Sequence, residues 1–343
     1  MKCPGLKSCT LLCGLMMSLA ASSSILAQEF TLERGGLVAG GTMKSSGGPM
    51  ELKGTLSEWA GSSLDAAGNG QYSLTGGFWA MGSAQSGWPG VSGAWFDPDS
   101  NGEGFNLQVF PGGFFGYFYG YDQGERLWLM LDVYSGSFEW DKPIEVPVLA
   151  GTQGVFGDPV APADGGLESW GTAEITFHSC ESASATLAGN SGTESYDLVL
   201  LAGVEGFEQD CTQPSATSDY ADLSGAWYDP ATDGQGWNFI ASPFGLFGYF
   251  YGYTSAGDPL WLMVENLISD VSAGQPITLQ LISGIGGDFG HPVSPADLQI
   301  WGEATVTFHN CREATVELSG EDGSQTQNIE ILAATEGTDS CGI

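Results

Sequence analysis

Three histidines, four cysteines beyond residue 27 and a scatter of acids are the residues of this 343-residue chain whose types could do chemistry. His178 and His309 each stand two residues before a cysteine. Strand alternation over 173–180 puts His178 with Glu174 and Thr176 on one face and Ala173, Ile175 and Phe177 on the other. That reads as a solvated imidazole on an outer face. His291 stands where a matching stretch has Asp158, so no mechanism common to both stretches depends on it. No Gly-x-Ser-x-Gly elbow, His-Glu-x-x-His helix or P-loop is present. Asp97 and Asp132 return as Asp229 and Glu265, a pairing of carboxylates that glycoside hydrolysis uses. Asp97, however, precedes Pro98 in an ordinary turn sequence. The chain therefore reads as non-enzymatic, with a secreted hydrolase the last-ranked alternative.

The segment Asp97-Pro98-Asp99-Ser100-Asn101-Gly102 has the oxygen-donor spacing that opens a calcium loop. Its twelfth position is Gln108 rather than Glu, and in the second occurrence Ala231 replaces the second acid. An Asx-type turn is the favoured reading. Weak calcium binding through Asp97, Asp99 and Asn101 is the metal alternative, and no other cofactor is expected.

Aromatic residues form the richest pattern. Phe115-Gly-Tyr-Phe-Tyr-Gly-Tyr121 returns unchanged at Phe247–Tyr253, followed each time by Leu-Trp-Leu-Met. A hairpin with the loop 122–126 pairs Gly120 with Trp128, and its second copy pairs Gly252 with Trp261, so that each indole covers a strand glycine. Tyr117, Tyr119 and Tyr121 then share one face with Phe115, and Phe118 shares the other with two glycines. One face is expected to be barrel interior, with the other packed on a neighbouring strand or module. The functional alternative gives Tyr117, Tyr119, Trp128, Tyr249, Tyr251 and Trp261 to a glycan or another small-molecule ligand with an apolar surface.

These features belong to a duplication with a period of about 131 residues. Ser-Gly-Ala-Trp at 92–95 recurs at 224–227, Trp170-Gly171 at 301–302, and Phe177-His178-Ser179-Cys180 as Phe308-His309-Asn310-Cys311. Equivalent placement favours Cys180–Cys211 and Cys311–Cys341 as bridges within each module. Short aromatic and β-branched runs alternate with Gly, Asp, Pro and Ser clusters, and helical periodicity is missing. The fold class is all-β: two tandem disulfide-closed antiparallel barrel or sandwich modules, 91–211 and 220–343, preceded by a short Gly-rich β segment, 28–85.

Residues 1–27 combine Lys2 and Lys7, an apolar run and a small residue before Gln28, the pattern of a secretory signal peptide. Its removal takes two lysines, so the formal charge of −33 becomes −35. Such a surface does not bind nucleic acid, which needs Lys and Arg at the phosphates. No later apolar run is long enough for a transmembrane helix. The destination expected is extracellular, cell-surface or periplasmic.

The opening Gly-x-Trp at Gly93/Trp95 and Gly225/Trp227 resembles the first strand of the calycin barrels, lipocalins and avidins among them. The Gly-x-Trp, Trp-Gly and Cys pattern resembles tandem repeats of secreted Gram-negative bacterial proteins. The resemblance implies small up-and-down barrels and an exported, modular protein.

Overall fold

In the computed structural model the described residues run from 88 to 338, except 137, 153, 159–165, 209, 215–219, 233 and 265–270. Ahead of them the backbone of four strands is described: β1 (Thr42–Gly47), β2 (Met50–Thr55), β3 (Ser62–Asp65) and β4 (Ser73–Gly76). They pair as two antiparallel hairpins, β1–β2 and β3–β4. Residues 1–27, where a signal peptide is expected, and Cys341 lie outside the described residues.

Each repeat closes into an eight-stranded barrel. Barrel one contains β5 (Gly93–Phe96), β6 (Gly104–Phe110), β7 (Gly113–Asp122), β8 (Glu125–Tyr134), β9 (Ile144–Gly151), β10 (Leu167–Ser179), β11 (Ser182–Gly189) and β12 (Gly192–Gly203). Barrel two contains β13 (Gly225–Tyr228), β14 (Gly236–Ser242), β15 (Gly245–Tyr253), β16 (Pro259–Val264), β17 (Pro276–Ser283), β18 (Gln299–Asn310), β19 (Glu313–Gly320) and β20 (Gly323–Ala334). Every strand pairs antiparallel with its sequence neighbour, and β12–β5 and β20–β13 close the rings. This up-and-down order removes free edges, the hazard of an open sheet.

The interiors are filled by side chains. Trp95, Phe105, Phe118, Phe177 and Tyr196 share one buried cluster in barrel one, with Trp95 Nε1 donating to the Val91 carbonyl at 2.9 Å. Trp227 repeats that bond to Leu223 at 2.9 Å. Asp97 joins the strand ends: its two carboxylate oxygens accept the N–H groups of Asp99 and Asp197, both at 2.8 Å. Asp229 does the same with Ala231 and Asn328, at 2.8 and 2.7 Å. Cys180 and Cys211 are bridged, and Cys311 is disulfide-bonded as well. A disulfide fits an extracellular or periplasmic protein. Among the described residues no helix is long and apolar enough to cross a membrane.

The hairpin register differs from the expected one by one residue. Trp128 pairs with Tyr119 and Gly120 with Leu127; Trp261 pairs with Tyr251 and Gly252 with Leu260. In the second hairpin Tyr253 pairs with Pro259 across the loop 254–258; in the first, the cause is the turn. Gln123 and Gly124 both take positive φ, 52° and 91°, which makes a two-residue turn and pairs Asp122 with Glu125. The indoles therefore do not cover the glycines of their own hairpins.

Candidate functional site

Strand alternation places Phe114 and Phe118 inside barrel one and leaves Phe115, Tyr117, Tyr119 and Tyr121 pointing outward. Water would meet that apolar outer face, were it not buried against the matching face of barrel two. Both barrels belong to one compact unit, Ala39–Ile343.

The contacts between the barrels are reciprocal. Trp128 Nε1 donates to the Gly252 carbonyl at 2.8 Å, and Trp261 Nε1 donates to the Gly120 carbonyl at 2.9 Å. Tyr119 packs on Tyr249 with ring centroids 4.8 Å apart, and Tyr117 stacks on Tyr251 at 4.7 Å. Main chain also joins main chain in an exchanged pair, Glu205 N to Ala241 O at 2.8 Å and Glu336 N to Val109 O at 3.0 Å. Phe156 of barrel one packs on Trp301 of barrel two, and Phe289 of barrel two packs on Trp170 of barrel one, at 5.6 and 5.5 Å. Tyr121 lies over Gly287, where an added Cβ would meet its ring at 2.6 Å; Tyr253 lies over Gly154, where the approach would be 2.0 Å. Only glycine admits rings this close. Every one of these pairs maps onto another by exchange of the repeats, so the interface has the self-complementary form of a two-fold dimer.

Of the six aromatics expected at a ligand site, Tyr119, Tyr249 and Trp261 are buried in this interface. Tyr117, Trp128 and Tyr251 reach a half-open cavity of about 90 Å³ at the seam, which Trp237, Met130 and Gln235 also line. Trp237 Nε1 is held by Gln327 at 2.9 Å, and Gln235 donates to Gln325 at 2.9 Å. Gly234 lies on this cavity, while its counterpart in barrel one, Gly102, is covered by the Val293 carbonyl. Residues 159–165, which include the counterpart of Val293, lie outside the described residues.

The sequence reading missed Glu103. This carboxylate is 1 % exposed and occupies the position of Gln235 in the other barrel. Oε1 accepts from Ser100 Oγ at 2.7 Å, but Oε2 has no partner of good hydrogen-bond geometry, and neither has the adjacent buried Tyr196 hydroxyl. Burial pushes the Glu103 pKa up to about 7; Ser100, Tyr196 and the Gly290 N–H oppose that rise, and Glu194 adds to it. Barrel two puts Gln235, Gln325 and Gln327 where barrel one has Glu103, Glu194 and Tyr196. Comparing the copies at these positions was the signal available in the sequence.

The other sequence candidates lie apart from the seam. Asp97 has both oxygens committed to backbone N–H groups, as does Asp229, whose loop lacks the second acid. A carboxylate so engaged in both copies is a strand clamp. Among the described residues no group of three or more His, Cys, Asp or Glu could hold a metal ion. Asp132 Oδ1 accepts its neighbour's N–H at 2.7 Å, and Glu265 lies outside the described residues. His178 is on the outer face, as alternation predicts, but is not merely solvated. Its Nδ1 bonds Asp141 at 2.7 Å and its Nε2 bonds Ser184 Oγ at 3.1 Å. That relay has the order of a serine nucleophile, base and acid. Ser184, however, lies inside β11, paired to Thr176 on one side and Asp197 on the other. Its backbone is committed to the sheet ladder and supplies no oxyanion donor.

Comparison with protein-family models, with curated proteins and with solved structures finds no match.

Proposed function

We propose that this is an exported, non-enzymatic binding protein in which one ring or short aliphatic part of a ligand seats in the seam cavity. The observation that carries this reading is the cavity itself: a concavity of about 90 Å³ between two rigid barrels, walled by Tyr117, Trp128, Trp237 and Tyr251. Aromatic walls favour a flat apolar surface, and the Gln235 amide and tyrosine hydroxyls offer orienting polar groups. A sugar ring or a small aromatic suits such walls.

A tryptophan emission titration tests this, with cyclohexanol, benzyl alcohol and methyl β-glucoside as probes. At least one should shift the emission saturably, and Leu332→Trp, which fills the cavity from its wall, should abolish the shift while leaving the fold intact. If no probe shifts the emission, or Leu332→Trp responds as wild type does, the reading fails. The alternative is then a structural or adhesive surface protein. It is favoured by one observation, that Tyr119, Tyr249 and Trp261 are used up in joining the barrels.

A further inference from the structure

Features present in both barrels serve the fold they share, so those present in one barrel invite another explanation. One surface of barrel one has this character. Trp140 is 37 % exposed and lies parallel to Trp88, with ring centroids 3.8 Å apart and planes 12° apart. Trp88 in turn stacks on Phe138 at 5.6 Å, so Trp140 is the outer leaf of an aromatic stack rooted in the barrel. The counterparts in barrel two are Ala273, Tyr220 and Val271.

The residue after Trp140 departs from its counterpart too. Asp141 and Gly274 both donate their N–H to a phenylalanine carbonyl, Phe177 and Phe308, at 2.9 and 2.8 Å. Both take left-handed φ, 58° and 72°. Glycine adopts that conformation freely, whereas a side chain there is strained. Barrel one nevertheless places a carboxylate at this position. Asp141 Oδ1 bonds His178 Nδ1 at 2.7 Å, and His178 Nε2 bonds Ser184 at 3.1 Å, while the Asp141 side chain remains 74 % exposed. In barrel two His309 reaches Thr315 at 2.9 Å, and glycine takes the place of the acid.

We propose that barrel one carries a surface saccharide site, separate from the seam cavity, in which Trp140 takes the apolar face of a pyranose ring and the Asp141 carboxylate, held by His178, accepts from its hydroxyls. A pyranose presents a face of C–H groups and a rim of hydroxyls that both donate and accept. The face fits a flat, rigid indole that exposes its π surface. The rim fits a carboxylate acceptor fixed in place beforehand, since less ordering is then left to binding. The bond from His178 immobilises Asp141, and the left-handed backbone turns the carboxylate to the strand that carries His178. The Trp88 stack holds the platform in the same way.

Affinity electrophoresis of the full-length exported protein through native gels reads this directly, with hydroxyethyl cellulose, glycol chitin, laminarin or galactomannan cast into the gel. These polymers are neutral, so the acidity of the protein does not itself cause retardation. At least one polymer should retard the wild type, and Trp140→Ala and Asp141→Gly should each weaken the retardation at least tenfold. Asp141→Gly restores the residue of barrel two and relieves the left-handed strain, so its melting temperature should be no lower than that of wild type. Leu332→Trp, which fills the seam cavity, should be retarded as wild type is. If no polymer retards the protein, or either platform variant migrates as wild type does, the proposal is overturned. Retardation that appears only when residues 28–87 are deleted also overturns it, because the platform would then be covered by the protein's own chain.

Discussion

Replacing Glu103 by Gln, the residue that barrel two has at this place, should stabilise the protein at neutral and alkaline pH and leave it nearly unchanged in acid. Glu103 is buried, Oε2 has no partner of good hydrogen-bond geometry, and its pKa rises from 4.5 to about 7. A carboxyl with a raised pKa holds its proton more tightly in the folded chain than in the unfolded one. Its destabilising charge is absent below about pH 4.5, grows as pH rises towards 7, and is fully present above that. The difference of roughly 2.5 units corresponds to about 3 kcal/mol at most. For a folded part of this size that is a melting-temperature shift on the order of 6–12 °C. Thermal and urea denaturation at half-unit steps from pH 4.5 to 8.5 would measure it. Comparing wild type with E103Q cancels the slope from the other carboxylates. The difference curve should start near zero and rise through the window between the two pKa values. If E103Q is less stable than wild type at pH 8, or if the difference does not change with pH, the assignment of a buried, half-satisfied acid is refuted.

Three other outcomes follow from the same geometry. Trp128→Phe and Trp261→Phe should each cost about 1–2 kcal/mol, and by equal amounts, because each removes one indole bond across the seam and leaves a glycine carbonyl without its donor; denaturant midpoints check this. Cys180→Ser should lower stability by roughly 3–4 kcal/mol, the entropy released to a loop of about 30 residues, and wild type melted in reductant should lose more than that, because the Cys311 disulfide opens too. Asp97→Ala should cost about 2–4 kcal/mol, since two N–H groups lose a charged acceptor, whereas EDTA or added calcium should leave the melting temperature of wild type within 1 °C or so of its starting value if Asp97 is a clamp alone.

The local features were legible because they depend on neighbours in the chain. Alternating aromatics, turn residues and the duplication specify strands, their number and the Cys180–Cys211 bridge without reference to the rest of the molecule. Register was not legible to the last residue, because Gln123-Gly124 can turn in two residues or belong to a longer loop, and the left-handed φ of Gln123 decides between them. The packing of Tyr117–Tyr121 against the second module was visible as one of two options. A strand that is apolar on both faces needs a second layer, but sequence does not say which surface supplies it. The Asp141–His178 contact joins residues far apart in sequence through a loop whose Asp141 N–H bonds the Phe177 carbonyl of β10, and no spacing rule marks it. Nothing local sets Glu103 apart from the other acids; only the fold brings the Gly290 N–H of the other barrel to it.

The reciprocal seam also bears on how this chain could have diversified. In a homodimer each substitution appears twice, once per subunit, and an interface that needs an acid must accept two of them related by symmetry. Two subunits joined in one polypeptide escape that constraint. Here the Trp–Gly bonds and the exchanged phenylalanines remain equal on both sides of the axis. Elsewhere Glu103 stands where the other copy has Gln235, and Asp141 stands where it has Gly274. Fusion lets one copy keep the scaffold while the other acquires charge and strain, and at the positions where the copies disagree the two halves are free of the requirement to match.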